Sequence, residues 1–448
     1  MSDLGRVLRL DARRTALLVA VPVLTLAGTA AAGVSLRSAV PYWDNAVVAL
    51  ADAVRLAGPV GAALAAWTAV RERPLDYLRD LTARSPATGA LFDLLLLSAA
   101  AMVSYVTVTA MVVAVTLAQG GAGQLHIVGV ASGAGSLILH VVAGYLAGRA
   151  VPHRATAALV LVAASLWAAL RVPGTSWWTL LPPAAFDEIA LFTTLRPRVL
   201  AGQVVWAAGL TAALVLGYVL WVTRRLWIVL PLLAALAATA VATLGLRGSG
   251  GTVVPVRAEP VCREWPLTVC VHPALREALP VLTAAVTPLA ARLAGTPGAF
   301  TRVEQLPAGR PVTVAGGVAT VHLDEGLSPG YAERAVRQIS LSLRDVRTCA
   351  SSPGPPDHYR PLVDAWLLDK ELPEVPDARA AHAFASWSEA RRRAWFRLNF
   401  DDYRSCALGP ANFRQDAPTG ISKRAKRAAA DADAEPRRTP RVPRVLRD

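Results

Sequence analysis

The sequence predicts an α-helical polytopic membrane protein of about seven transmembrane helices, N-terminus in and C-terminus out, followed by an α/β extracytoplasmic domain. Three observations carry this. The first 245 residues are a succession of apolar blocks without a cysteine, whereas the rest reads as ordinary globular or polar sequence and holds all four, Cys262, Cys270, Cys349 and Cys406. An even number of cysteines confined to the soluble half points to an oxidising compartment. Arginine, finally, gathers in alternate loops, as cytoplasmic loops do.

Composition agrees. Over 448 residues the hydrophobic fraction is 54%, charged residues are only 17% and the mean hydropathy is +0.40. A soluble chain of this size seldom reads so apolar. The net charge of +14 does not imply a nucleic-acid partner, because many arginines flank apolar spans or lie in the C-terminal tail.

A bilayer span needs about 20 mostly apolar residues. The candidates are Thr15–Gly33, Ala46–Val70, Ala90–Leu117, Leu125–Leu146, Thr156–Leu170, Val199–Val222 and Leu226–Leu244. The second carries Asp52 and Arg55, three apart on one helical face, where they can neutralise each other. Charges inside a span are functional candidates by default. Asp93 stands alone near the start of the third span. With the N-terminus inside, Arg6, Arg9, Arg13, Arg14, Arg71, Arg73, Arg79, Arg84, Arg149, Arg154, Arg224 and Arg225 are cytoplasmic, against Arg37, Arg171, Arg196 and Arg198 outside. Deleting the second span would put the Arg71–Arg84 cluster outside and spoil this bias. Thr15–Ala32 is long for the apolar region of a signal peptide, which favours a retained span.

Two loops stand out. Arg71–Gly89 places Leu75, Leu78 and Leu81 on one face of a charged segment, which suits either a short amphipathic cytoplasmic helix or a solvated basic loop. Arg171–Arg198 carries Trp177–Trp178, a Pro182–Pro183 break and a stretch, Ala184–Leu195, that suits a short helix; it reads as a re-entrant hairpin or an interfacial loop.

An Arg-rich N-terminal tail, the segment RERPLDYLRD after the second span and a broken apolar hairpin before the sixth resemble the ABC-2 class of ABC-transporter permeases. The likeness covers about residues 1–225 and is mostly one of topology. Within that class the chain looks most like actinobacterial permease-like proteins with a C-terminal extracytoplasmic domain of unassigned function, through VCREWPLTVCVHPALREALPVLTAAVTPLAARLAGTPG and RRRAWFRLNFDDYRSCAL. The seventh span and the large outer domain depart from the six-span pattern. The resemblance implies a plasma-membrane permease subunit, an exporter, working as a homo- or heterodimer with a separate ATPase. Arg71, Arg73, Asp76, Arg79 and Asp80 would then form the ATPase-coupling loop. A non-transporting sensor or scaffold is the alternative.

The outer domain is expected over residues 246–414. Thr252–Arg257, Leu267–His272, Phe300–Leu306, Val312–Val314 and Val318–Leu323 read as strands, with Gly316–Gly317 as a turn. Pro273–Leu293, Tyr331–Leu343, Tyr359–Leu368 and Ser386–Phe396 read as helices. Four cysteines allow three pairings; Cys262–Cys270 with Cys349–Cys406 is preferred because the first pair is local. Residues 415–448 form a basic polar tail.

Catalysis finds little support. The order of elements weakly resembles zinc metallopeptidases of the gluzincin type, but YAERAVRQISLSL carries no histidine where HExxH would stand. There is no GxxxxGK[ST] phosphate loop. GLSPG, residues 326–330, matches GxSxG, yet Pro329 lacks the N–H that the residue after a nucleophilic serine must offer. No enzyme activity, cofactor or metal is expected.

Overall fold

The computed structural model describes residues 19–38, 40–73, 86–345, 348–349, 359–375 and 377–413. Apolar runs form α1 (Val21–Ser38), α2 (Trp43–Glu72), α3 (Pro86–Ala118), α4 (Ile127–Ala150), α5 (Thr156–Ala169), α6 (Pro197–Thr223) and α7 (Val229–Arg247). Among the described residues, six helices are long and apolar enough to cross a membrane. Five of them, α2, α3, α4, α6 and α7, coincide with predicted spans. The first and fifth predicted spans are the shorter apolar helices α1 and α5. The sixth long stretch is Pro273–Leu293, which the sequence assigned to the outer domain. It opens as a 3₁₀ turn with Arg276 and Glu277 exposed, and continues as α8 (Leu279–Leu293). That helix buries Leu282, Val286, Leu289 and Leu293 and exposes Val281, the one-sided pattern of a domain helix. The chain is thus a multi-pass helical membrane protein with a smaller α/β C-terminal region.

The chain divides into two compact units. One comprises residues 1–262, 270–279 and 323–329; the other comprises 263–269, 280–322 and 330–448. In the first, α2 is central and buries a small-residue face that includes Ala62, Ala65, Ala66 and Ala69. The backbone of α4 approaches it closely. A Cβ built on Gly144 would run into the Ala62 carbonyl oxygen, and one on Gly148 would lie 2.5 Å from that of Ala66. Without a solvent-driven hydrophobic effect, membrane helices associate through such close packing. Gly209 of α6 lies against the Thr239 hydroxyl of α7, where a Cβ would stand 2.6 Å from it. Some hydroxyls are satisfied by helix carbonyls: Thr68 lies within hydrogen-bond reach of Leu64 O, and Ser104 of Ala100 O on its own helix and Val21 O on α1.

The α1–α2, α3–α4 and α5–α6 connections meet. Trp43 N–H donates to Ala122 O at 2.9 Å and Ala122 N–H to Pro41 O at 3.0 Å. Tyr42 O–H donates to Thr193 O at 2.8 Å. The segment predicted as a helix over Ala184–Leu195 is not one. It runs irregularly and ends in β1 (Thr193–Leu195), which pairs antiparallel with β2 (Val253–Pro255). The reason is competition for its backbone. Ile189 N–H donates to Asn45 Oδ1, Leu191 N–H to Glu325 Oε1 and Leu195 N–H to Asp44 Oδ1, at 2.7–2.8 Å. Phe192 adopts a left-handed φ of 64°.

The C-terminal sheet has the order β3 (Val261–Arg263), β4 (Thr268–Val271), β5 (Arg302–Gln305), β7 (Val318–Val321), β6 (Val314–Ala315). β5 and β7 are parallel, with Arg302 opposite Val318. β6 and β7 form a hairpin through Gly316 and Gly317, both at positive φ, the turn that the glycine pair predicts. In the second unit α9 (Tyr331–Ser342) buries Ala332, Ala335 and Ile339, and Gln338 pairs with the backbone of His322 in both directions. An aromatic cluster packs α10 (Arg360–Leu367), α11 (Ala378–Ser386) and α12 (Glu389–Arg404), with Trp366, Phe384, Phe396 and Tyr403 buried. Cys262–Cys270 and Cys349–Cys406 are disulfides, the pairing preferred from spacing, and among the described residues no cysteine is free. Alkylating the denatured chain without reductant is therefore expected to modify no thiol, and four after reduction; mass spectrometry reads both.

Candidate functional site at the end of a short helix

α5 has 14 residues. At 1.5 Å per residue it spans about 21 Å, short of the roughly 30 Å hydrocarbon core. Its last carbonyls need partners, because a helix end leaves carbonyls without intrahelical donors. Two arginines do this. Arg55, from the middle of α2, donates through Nη2 to Ala168 O at 3.0 Å and Arg171 O at 3.2 Å. Arg171 donates through Nε to Trp167 O at 3.2 Å and through Nη1 to Leu181 O. Its guanidinium lies 4.8 Å from the Trp167 ring centroid and is fully buried. Cations at a helix C-terminus also oppose the negative end of its dipole.

Asp52 and Arg55, singled out in the sequence, are brought together at 3.4 Å. Ser35 of α1 donates to the second Asp52 oxygen at 3.1 Å. The cluster thus joins α1, α2 and the end of α5. Arg171 was counted in the sequence only as a loop arginine. Its spacing four residues after Trp167, at the end of a short span, is the signal that marks it.

In the same unit α2, α4, α6 and residues 183–186 line a narrow cavity with room for about one water molecule. Its polar groups are Ser132, Ser136 and Gln203. Ser132 O–H donates to Gln203 Oε1, and Gln203 Nε2 donates to Leu180 O, both at 3.0 Å. The irregular segment above is anchored by carboxylates: Asp44, buried, also accepts from Thr194 O–H at 3.0 Å and lies 3.3 Å from His126 Nε2. Burial, with the Asp44 charge beside it, raises the Tyr42 hydroxyl well above its ordinary range.

Asp93 is not isolated: the buried Tyr145 O–H donates to it at 2.9 Å. Of the predicted coupling residues, Arg71 lies over the Trp67 ring at 5.4 Å and Arg73 ends α2 in an exposed position. Asp76, Arg79 and Asp80 lie outside the described residues, as does the basic tail. Ser328 donates to Asp324 at 3.0 Å within its turn. No family model, curated protein or solved structure matches the chain.

Proposed function

We propose that the chain is the membrane-spanning permease subunit of an ABC-type transporter, an exporter, driven by a separate ATPase and working as a dimer in the plasma membrane with its C-terminal region outside. The observation that carries this reading is the short helix α5 with its arginine cap. A short α5, capped inside the protein by Arg55 and Arg171 and followed by irregular buried backbone beside a cavity, is an arrangement expected of membrane proteins that move solutes. The resemblance of residues 1–225 to ABC-2 permeases names the energy source, and the loop that begins at Arg71 and Arg73 is where the ATPase would dock. The positive-inside bias and the two disulfides support the orientation.

The test is purification from native membrane in mild detergent, wild type beside R73E/D76K/R79E. Wild type is expected to bring down an ATPase, and the charge-reversed chain about tenfold less of it. Wild type that recovers no ATPase would sink the permease reading and favour the alternative, a sensor or scaffold.

A further inference from the structure

Charge does not balance around the end of α5. The cluster holds two guanidiniums, Arg55 and Arg171, and one carboxylate, Asp52. His140, whose ring packs against Gly58 on α2, adds no compensating negative charge. The C-terminus of α5 contributes about half a negative charge. That leaves a surplus of about half a positive charge in a setting where Arg171 is fully buried. Hydrogen bonding is also incomplete: Arg171 Nη2 and Arg55 Nε are both buried without a partner among the described residues. A buried guanidinium with open donors is costly, and an anion relieves both the charge and the donors. The outer part of the cluster is partly exposed, Asp52 at 31% and Arg55 at 23%, whereas Arg171 is fully buried.

We propose that Arg55 and Arg171 form a binding site for an oxyanion of the phosphate class, carried by a phospholipid headgroup or by a free phosphate-bearing solute. The oxyanion meets the exposed end of Arg55 first, in competition with Asp52, and the fully buried Arg171 behind it supplies the second positive charge. Guanidinium is suited to this, because its fork matches phosphate oxygens. The proposal concerns binding alone and stands whether or not an ATPase drives the chain.

The experiment uses the full chain, lipid-depleted in uncharged maltoside detergent. Its thermal midpoint is followed on adding phosphatidylglycerol, diacylglycerol with the same acyl chains, or inorganic phosphate against chloride at matched ionic strength. A rise of about 5 °C with phosphatidylglycerol but not with diacylglycerol is expected for a bound phosphate group. A rise with phosphatidylglycerol alone assigns a lipid headgroup, and a rise with inorganic phosphate as well assigns a site open to free solutes. Arg171→Gln is expected to lose the rise. Asp52→Asn, which removes the competing charge and keeps a polar side chain, is expected to tighten binding about tenfold. Native mass spectrometry of wild type, which needs no variant to fold, should show retained phosphatidylglycerol or phosphate. No rise with either anion and no retained adduct would overturn the site. So would a rise that Arg171→Gln keeps, or one that Asp52→Asn weakens.

Discussion

Gly144→Ala is expected to lower the thermal midpoint of the purified chain by about 6 °C or more, while Gly217→Ala leaves it unchanged or raises it slightly. Both changes replace a mid-helix glycine by the best helix former, a gain of up to about 1 kcal/mol in a helix interior. They differ in what the new methyl meets. At Gly217 nothing lies within 4 Å of it. At Gly144 it would run into the Ala62 carbonyl oxygen and stand 2.6 Å from the Ala62 Cα, so α2 and α4 must part. Backbone cannot rotate away as a long side chain can. Overpacking costs about 1–3 kcal/mol even where side chains yield, and more is expected here. Parting these helices also disturbs everything hung on α2: the Asp52–Arg55 cluster, the cap on α5 and the Asp44 anchor. Thermal melts of the two variants in one detergent decide the matter, and equal midpoints would remove the α2–α4 contact from its central place.

These contrasts show what sequence discloses. Apolar length alone located α2, α3, α4, α6 and α7, because a membrane span depends on composition rather than on partners. The Asp52–Arg55 pair was legible because both ends of it lie on one helix, three residues apart. The local disulfide was legible for the same reason. What stayed hidden depends on distant residues. Nothing in Ala184–Leu195 reveals that Asn45, Asp44 and Glu325 take its N–H groups, at separations of 134–151 residues, so a helical reading was natural and wrong. Arg171 reads as one loop arginine until the short α5 leaves Trp167 O and Leu181 O for it to satisfy. His272 likewise offered no signal: its environment comes from Tyr42 and Phe192, far away in sequence.

That environment makes His272 a group through which mild acid should loosen the fold. It is buried edge-on between the rings of Tyr42, at 5.7 Å, and Phe192, at 5.0 Å. Its Nδ1 accepts from the Ala274 N–H, which requires that nitrogen to be unprotonated. Burial lowers its pKa from the ordinary 6.5 to about 4. The sign follows from proton counting. Between these two values the unfolded chain binds a proton on His272 that the folded chain refuses, so stability falls as pH falls. The loss begins near pH 6.5, grows by about 1.4 kcal/mol per pH unit and levels off near pH 4 at about 3 kcal/mol. Above pH 6.5 the residue is neutral in both states and contributes no slope. Wild type is therefore expected to melt progressively lower from pH 6.5 to pH 4.5, and His272→Gln, which can still accept the Ala274 N–H, to show a markedly flatter dependence over the same range. The variant should start below wild type at pH 7.5, where it loses ring packing, and converge on it in acid. Parallel curves for the two proteins would mean that some other group carries the acid response and that His272 protonates freely in the folded state.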